Sequence, residues 1–369
     1  MIQEALAKAV GGADLSEAEM MQVMDEVTEG KATQAQIGAL LIALRMKGES
    51  VDEITGAARV MRAKSVKIPV GNSNLSVDRD EINWDRETIA DTCGTGGDGT
   101  RTFNVSTATA FVVAGAGVRV AKHGNRSVSS LCGSADVVEA LGVPLDLTPE
   151  QVGECIDRVG IGFLYAPFLH GAMRHVAGPR REIGLRTIFN LLGPLTNPAG
   201  ASVQVIGVYR EDLTETVAHV LLKLGSRSSF VVFGDGSYDE ISITGPSKIT
   251  RLHKGEISTH TLIPEDVGLQ RARAEEIRGG DAAENAAIIL RILNGHNGAR
   301  KDMVLLNAAA ALVAAGRAES MQDGIGLASE AIDSGKALEK LNGLISVATD
   351  CASRIKKAGG AGILESKSS

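Results

Sequence analysis

Over the first seventy residues, apolar side chains recur at the three- and four-residue spacing of amphipathic helices. Met20, Met21, Val23, Met24 and Val27 form one set, Ile37, Leu40, Leu41 and Leu44 a second, and Ile54, Ala57, Ala58 and Met61 a third. Each set follows a hydroxyl residue with Glu or Gln three positions on: Ser16 with Glu19, Thr33 with Gln36, Ser50 with Glu53. In such a pair the hydroxyl accepts from the third residue's amide while the longer side chain reaches back, which predicts a helix start. Gly30 and Gly48 stand where helices should stop. The pattern predicts a small antiparallel helical unit with short connections and no catalytic constellation of its own.

The pattern breaks from Val70 to Glu87, a polar and acidic run opened by Gly71, Asn72, Ser73 and Asn74, which reads as a linker or surface loop. From Thr88 short apolar runs alternate with helical segments. The predicted strands are Thr88–Cys93, Val118–Lys122, Ile161–Tyr165, Val203–Tyr209, Ser229–Phe233 and Glu240–Ile243. Alternation of this kind implies an α/β domain with a largely parallel sheet. Ile249–Leu252 and Ile257–Leu262 flank His253-Lys254-Gly255-Glu256 and predict a hairpin. Asp281 to Ser353 reads as Ala- and Leu-rich helix, and Gly359 to Ser369 as a tail expected to fray. There is no internal repeat.

Composition narrows the classes. A chain of 369 residues exceeds one ordinary core, so two domains, or one large domain with a helical appendage, are expected. Aromatics make up 3%, Trp84 is the single tryptophan, and the formal net charge is -7. This argues against a general nucleic-acid or anionic-membrane surface while leaving room for a local basic pocket. Cys93, Cys132, Cys155 and Cys351 lack metal-ligand spacing and read as reduced thiols. Met1 to Val10 carries Glu4 and Lys8 and lacks the features of a signal peptide, and no apolar stretch reaches membrane-spanning length. A cytoplasmic protein is expected.

Four motifs carry chemistry. The first is Asp91-Thr92-Cys93-Gly94-Thr95-Gly96-Gly97-Asp98-Gly99, followed by Phe103-Asn104-Val105-Ser106-Thr107. Gly94, Gly96 and Gly99 formally match a dinucleotide fingerprint, but the next helix is expected near Ser106, well after the last glycine. The better reading is a glycine loop followed by a helix whose N-terminus offers unpaired amides and positive potential to a phosphate. The second is Lys122-His123-Gly124-Asn125-Arg126-Ser127-Val128-Ser129-Ser130, after a predicted strand. Its cations, amide and hydroxyls suit a doubly charged group such as pyrophosphate. The third is Asp239-Glu240, a carboxylate pair consistent with a hard cation, although an isolated pair of this kind reads by default as an acidic surface turn. The fourth runs from His170 through Arg174-His175 and Arg180-Arg181-Glu182 into Arg186–Pro198. There Arg180 offers a bidentate fork to a substrate carboxylate, and Pro194, Asn197 and Pro198 predict a rigid turn.

In this order, the loop Gly94–Gly99, the run Lys122–Ser130, the pair Asp239-Glu240 and the stretch Arg186–Pro198 resemble the anthranilate phosphoribosyltransferase family, from the N-terminal helices to about Gly316. The resemblance implies a nucleoside phosphorylase/phosphoribosyltransferase-like fold. Residues 1–69 would form a small all-helical domain, completed by about 181–200. Residues 70–87 would be a linker or surface loop, 88–180 and 201–358 a large α/β domain with a largely parallel central sheet, and 359–369 a flexible tail. It also implies a homodimer through the helical domain and magnesium as cofactor.

Site roles follow by position. Gly94, Gly97, Asp98, Thr102, Asn104, Val105, Ser106, Thr107, Lys122, His123, Gly124, Asn125, Arg126, Ser127, Val128, Ser129, Ser130 and Ser134 match contacts to phosphoribosyl pyrophosphate. Ser106, Asp239 and Glu240 match magnesium positions; Gly94, His123, Asn125, Ala166, Pro167 and Arg180 match the anthranilate side. The chain departs from the family at Cys93, Phe233 and Gly178 and in the longer Val70–Glu87 segment.

The implied reaction is displacement of pyrophosphate from the ribose anomeric carbon by the anthranilate amine, with no general base assigned and His123 either steering a proton or structural. Two rivals share the architecture. A pyrimidine nucleoside phosphorylase-like enzyme would use inorganic phosphate and a nucleoside, and the glycine-loop pattern and Asp239-Glu240 argue against it. A noncatalytic nucleic-acid-binding paralogue is opposed by net charge, few aromatics and the full motif set.

Overall fold

All three expected capping boxes close. The Ser16 N–H donates to Glu19 Oε2 at 2.7 Å while the Glu19 N–H donates to Ser16 Oγ at 3.3 Å. Thr33 and Gln36 do the same at 2.9 and 3.2 Å, and Ser50 and Glu53 at 2.8 and 3.3 Å. They start helices α2 (Glu17–Thr28), α3 (Gln34–Lys47) and α4 (Val51–Lys64); α1 (Ile2–Val10) precedes them. The apolar sets named from spacing supply the buried faces, Leu44, Ile54, Ala57 and Ala58 being 0% exposed.

The computed structural model describes residues 1–71, 88–96, 99–127 and 131–365. Most of the Val70–Glu87 segment, together with Gly97, Asp98, Val128, Ser129 and Ser130, therefore lies outside the described residues.

The remaining elements alternate as expected. Strands β1 (Ile89–Thr92), β2 (Arg119–Gly124), β3 (Ile161–Tyr165), β4 (Val203–Gly207) and β5 (Ser228–Gly234) each fall within two residues of a predicted strand. Strands β6 (Ser247–His253) and β7 (Glu256–Leu262) form the predicted hairpin, turning at Lys254 and Gly255 with φ of 51° and 84°. Two positive φ values in a two-residue turn match the twist of the flanking strands. The order is β3-β2-β1-β4-β5-β6-β7 in a seven-stranded sheet. The pairs β1–β2, β2–β3 and β4–β5 are parallel, whereas β5–β6 and β6–β7 are antiparallel. Strands β1 and β4 are buried along their whole length, as strands covered on both faces must be.

Contacts divide the chain into two compact units. One comprises Met1–Lys67, Thr92–Thr100 and Ala166–Arg271. Here α9 (Arg174–Ile183) packs on α2 and α3, and α10 (Ile188–Leu195) packs on α3 and α4, after the short α8 (Ala166–Leu169). Side chains fasten this return: Arg45 Nη1 donates to the Arg186 carbonyl at 2.5 Å, and Arg62 Nε to the Leu195 carbonyl at 2.6 Å. Helix α11 (Leu213–Lys223) covers β5 and β6. The other unit comprises Ile68–Asp91, Arg101–Tyr165 and Ala272–Ser369. It holds α5 (Val105–Gly115), α6 (Ser134–Ala140), α7 (Pro149–Val159) and the C-terminal helices α12 (Ala282–Leu293), α13 (Ala299–Ala314), α14 (Met321–Asp333) and α15 (Lys336–Glu365). Small residues set its helix spacing: a Cβ on Gly324 would lie 2.8 Å from Ala309 Cα.

Three expectations are corrected. Glu240–Ile243 is not a strand but a buried crossing segment. Ile241 and Ile243 are 0% exposed, which mimics strand alternation, but the Ser242 N–H goes to Ser247 Oγ at 2.8 Å instead of a ladder. A Cβ on Gly234 would lie 2.5 Å from the Glu240 carbonyl, so bare backbone is what lets the segment cross β5. Pro194 lies inside α10 one residue before its end, where its missing N–H leaves a single helix bond unmade. The turn itself is made by Asn197, whose Oδ1 accepts the Ala199 N–H at 2.9 Å. The last helix continues past Gly359 to Glu365, because each added residue of a formed helix gains a backbone bond.

Glu53 does more than cap. It is 0% exposed, its Oε1 accepts the Leu15 N–H at 2.9 Å, and its Oε2 takes Lys47 Nζ at 2.9 Å. Lys47 in turn reaches Asp14 at 2.6 Å. Replacing Glu53 with Ala leaves a buried amide and a nearly buried ammonium short of a partner. The expected loss is about 3 kcal/mol, against about 1 kcal/mol for Thr33→Ala at an exposed cap. Chemical denaturation of both variants checks the difference, and equal losses would show that Glu53 acts only as a cap.

Candidate active site

The phosphate-directed residues of the second unit sit at the carboxyl end of β2 and the amino end of α5. Lys122 is 3% exposed, and its Nζ donates to the His123 carbonyl at 3.2 Å. Among the described residues no carboxylate pairs with it. A buried ammonium satisfied by one carbonyl is electrostatically incomplete, and a phosphate dianion completes it. The His123 N–H donates to Asp91 Oδ1 at 3.2 Å, which ties β2 to the residue that ends the buried run of β1. Asn104 is the N-cap residue of α5 and makes no side-chain cap bond. The Val105 N–H donates to the Phe103 carbonyl at 2.7 Å, and the helix that follows is almost wholly buried. Thr107 is 1% exposed, and its Oγ1 has no hydrogen-bond partner.

The loop after β2 is stapled by Asp136. Its Oδ2 accepts the Ser127 N–H at 3.2 Å and the Gly133 N–H at 2.9 Å. Arg126 Nη1 reaches Asp136 at 2.8 Å and Glu139 at 2.9 Å, and these carboxylates push its pKa up. The structure therefore commits the Arg126 guanidinium to the loop, leaving Lys122 as the unneutralised cation of this run. Ser134 Oγ accepts the Asn125 N–H at 3.2 Å, and a Cβ on Gly124 would strike both that oxygen and Phe163. Thr102 sits apart from the loop, in a bridge with Arg278.

The first unit holds the rest. After β1 the chain runs on beside β4: the Cys93 N–H donates to the Val205 carbonyl at 3.1 Å and the Thr95 N–H to the Gly207 carbonyl at 2.9 Å. The Gly96 N–H then donates to Asp239 Oδ2 at 2.8 Å. A Cβ on Gly94 would overlap that carboxylate, and one on Gly207 would overlap the Asp239 carbonyl. The glycine loop and the acidic pair are thus one structure, with Asp239 and Glu240 both half-buried.

Arg180 is half-buried on α9 with its guanidinium carbon 5.4 Å from the Phe189 ring centre. Burial pushes its pKa down, and among the described residues no carboxylate pairs with it. Arg181 is exposed. Ala166 and Pro167 open the short helix α8. His170 stays neutral: burial, with Lys67 adding to it, lowers its pKa to about 4. His175 packs over Gly30 and accepts from Arg174 Nε at 3.0 Å, so both belong to packing.

Asp136 and Gly207 were not singled out from sequence, and Asp91 and Phe189 stood inside quoted motifs without a role of their own. Asp136 carries a local signal, an acid three residues after Gly133 at a helix start. The others depend on tertiary neighbours and carry none.

Fold and site define a glycosyl transferase built from a helical bundle and an α/β part. Residues 3–65 match the family described as "Glycosyl transferase family, helical bundle domain", and residues 86–338 match "Glycosyl transferase family, a/b domain". The anthranilate phosphoribosyltransferase of Geobacter sp. strain M21 is 59% identical over 350 residues, covering 95% of this chain and 99% of the relative. The crystal structure of the Thermus thermophilus anthranilate phosphoribosyltransferase superposes with a TM-score of 0.85 at 42% identity, covering 94% of this chain and 99% of that one. That of Saccharomyces cerevisiae, in complex with PRPP and Mg, gives 0.83 at 26% identity, covering 95% and 98%. The chain belongs to the anthranilate phosphoribosyltransferase family.

A desolvated arginine without a counter-ion adds little to stability. Arg180→Leu is expected to keep a melting temperature equal to or above that of the parent, since the lost ring contact contributes only about 0.5–1 kcal/mol and the buried charge goes with it. Differential scanning calorimetry checks this; a drop of several degrees would make Arg180 a structural residue.

Proposed function

We propose that the chain transfers the phosphoribosyl group of phosphoribosyl pyrophosphate to the amine of anthranilate, releasing pyrophosphate. The observation that carries this reading is the pair of desolvated cations without carboxylates, Lys122 and Arg180. One stands among phosphate-type donors and the other over an aromatic ring. Gly94, Thr102, Asn104 to Thr107, Lys122 to Ser127 and Ser134 are the proposed contacts to phosphoribosyl pyrophosphate, with Gly97, Asp98 and Val128 to Ser130 assigned by resemblance alone. Gly94, His123, Asn125, Ala166, Pro167 and Arg180 are the proposed anthranilate contacts.

Positioning and electrostatics do the work. Arg180 takes the anthranilate carboxylate through a bidentate fork and so aims the neighbouring amine. Lys122 and the positive N-terminal end of α5 hold phosphate oxygens. The aryl amine is weakly basic and attacks as the neutral form, so no general base is assigned. Positive charge that develops on the ribose as pyrophosphate leaves is balanced by the pyrophosphate itself, held in place by these donors.

Magnesium is part of the proposal, with Ser106, Asp239 and Glu240 as the residues that hold it. The fit is chemical. Among the described residues no group of three or more His, Cys, Asp and Glu builds a metal cage. Magnesium commonly takes one or two carboxylates and fills its shell with substrate phosphates and water, so an adjacent pair suits a metal that arrives with its substrate. When bound, the ion neutralises pyrophosphate and makes it a better leaving group.

A homodimer through the helical domain completes the reading. Val10, Met46 and Leu185 are 72%, 83% and 55% exposed, and the Arg45–Arg186 bond brings the segments carrying the last two together. Exposed apolar residues of this kind on packed helices mark an association surface. Sedimentation at micromolar concentration is expected to give a dimer, and a Met46→Glu, Leu185→Glu double variant a monomer; a monomeric parent would overturn the proposal. Among the described residues no helix is long and apolar enough to cross a membrane, and cytoplasmic placement belongs to the same reading.

The functional test is pyrophosphate release with both substrates across four variants. Arg180→Ala should raise the KM for anthranilate about ten- to a hundredfold and leave that for phosphoribosyl pyrophosphate little changed, because a charge-assisted bond contributes about 1.5–3 kcal/mol. Lys122→Ala should do the reverse, Arg181→Ala should be mild, and the Asp239→Ala, Glu240→Ala double variant should lose the magnesium response. Arg181 proving the more sensitive arginine would misplace the aromatic substrate. A parent that releases no pyrophosphate under any condition would refute the function.

A further inference from the structure

Asn285 lies on α12, far in sequence from every motif, and is 2% exposed. Its amide is fully engaged. Nδ2 donates to the Gly280 carbonyl at 3.2 Å and to Asn104 Oδ1 at 2.9 Å, and Oδ1 accepts the Gly280 N–H at 2.8 Å. Gly280 presents both a donor and an acceptor to the same amide, so only one orientation of Asn285 satisfies it. A reversed amide would set oxygen against carbonyl oxygen and NH₂ against N–H. The segment is held close by Gly279, where a Cβ would lie 2.5 Å from Asn285 Oδ1 and 2.6 Å from Phe103 Cα. The Gly279 N–H also donates to the Arg101 carbonyl at 2.9 Å.

That fixed orientation passes to Asn104. Because Asn285 offers an N–H, Asn104 must answer with its oxygen, which turns its own NH₂ the other way. An asparagine at an N-cap ordinarily uses that oxygen to accept from the first turn of the helix. Here the oxygen is taken up by Asn285, and Asn104 makes no side-chain cap bond to α5.

We infer that Asn285 is a positioning residue: it makes Asn104 a hydrogen-bond donor toward the substrate phosphates. The inference rests on the proposed reading of Asn104 as a phosphoribosyl pyrophosphate contact and adds the residue that sets which end of its amide faces the ligand.

Asn285→Asp tests it. The carboxylate still accepts the Gly280 N–H but cannot donate to Asn104, so Asn104 reverses and turns oxygen toward an anionic ligand. The KM for phosphoribosyl pyrophosphate, and its Kd by calorimetry without anthranilate, should rise about tenfold or more, with the KM for anthranilate within about twofold. The new charge has its own long-range effect, which a double-mutant cycle removes. In an Asn104→Ala background the same Asn285→Asp change should raise the Kd less than about threefold. Should Asn285→Asp melt too low to assay, the cycle is read with Asn285→Ser, whose hydroxyl accepts the Gly280 amide and is too short to reach Asn104. Equal increments in both backgrounds would overturn the inference, as would a variant with parental stability and parental Kd. Failure of the parent to turn over anthranilate while binding phosphoribosyl pyrophosphate with this coupling would sink the functional reading and leave the inference standing.

Discussion

Positive charge held out of water without a carboxylate beside it is the constraint on which this molecule's chemistry depends. Two nearly buried lysines elsewhere are neutralised by carboxylates, while half-buried Arg62 is held by the Leu195 and Leu224 carbonyls. Lys47 meets Asp14 and Glu53, and Lys301, almost buried, meets Asp333 at 2.7 Å. Lys122 and Arg180 are treated differently: one is satisfied by a single carbonyl, the other by an aromatic face. A carboxylate placed beside either would stabilise the fold and compete with the substrate's own anion. Leaving the charge unanswered lowers stability locally and raises affinity, which is the usual trade at binding sites.

The second constraint is close approach. Asp239 lies against Gly94 and Gly207, and its carboxylate takes the Gly96 amide. No side chain larger than hydrogen fits at those two glycines, so the loop after β1 and the acidic segment after β5 place one another. This explains why Glu240–Ile243 abandons strand geometry despite a strand-like pattern. The segment must cross the strand ends to bring its carboxylates to the loop, and the backbone bonds given up are partly recovered by Ser247 Oγ.

The periodic part of the fold was legible in the sequence. Capping boxes placed helix starts, apolar spacing placed buried faces, and short apolar runs placed most strands, because these signals are local. The same logic explains the failures. Ile241 and Ile243 are buried by tertiary neighbours, and burial alone does not tell a strand from a crossing loop. In the site, residue types and order were readable, but their employment was not. Arg126 and Lys122 look alike in the sequence as cations of one basic run. Only the positions of Asp136 and Glu139 show that the first is a staple and the second an unanswered charge. Asp91 and Phe189 act through neighbours that no sequence window contains.

The treatment of helix starts draws these threads together. Ser16, Thr33, Ser50, Thr148, Asp281 and Ser320 each accept from the third amide of the helix they begin. Asn104 is as good a capping residue as any of them, yet its oxygen is drawn away by Asn285. A helix that closes its own N-terminus gains stability and loses the ability to bind an anion there. A helix that leaves the terminus open needs another group to hold the capping side chain off it, or that side chain will fold back. The buried amide of Asn285, locked by both polar groups of Gly280, is such a group. At α5 the Asn104 side chain is engaged by a distant residue instead, and the departure from the local capping rule falls where the chain after the glycine loop enters a helix.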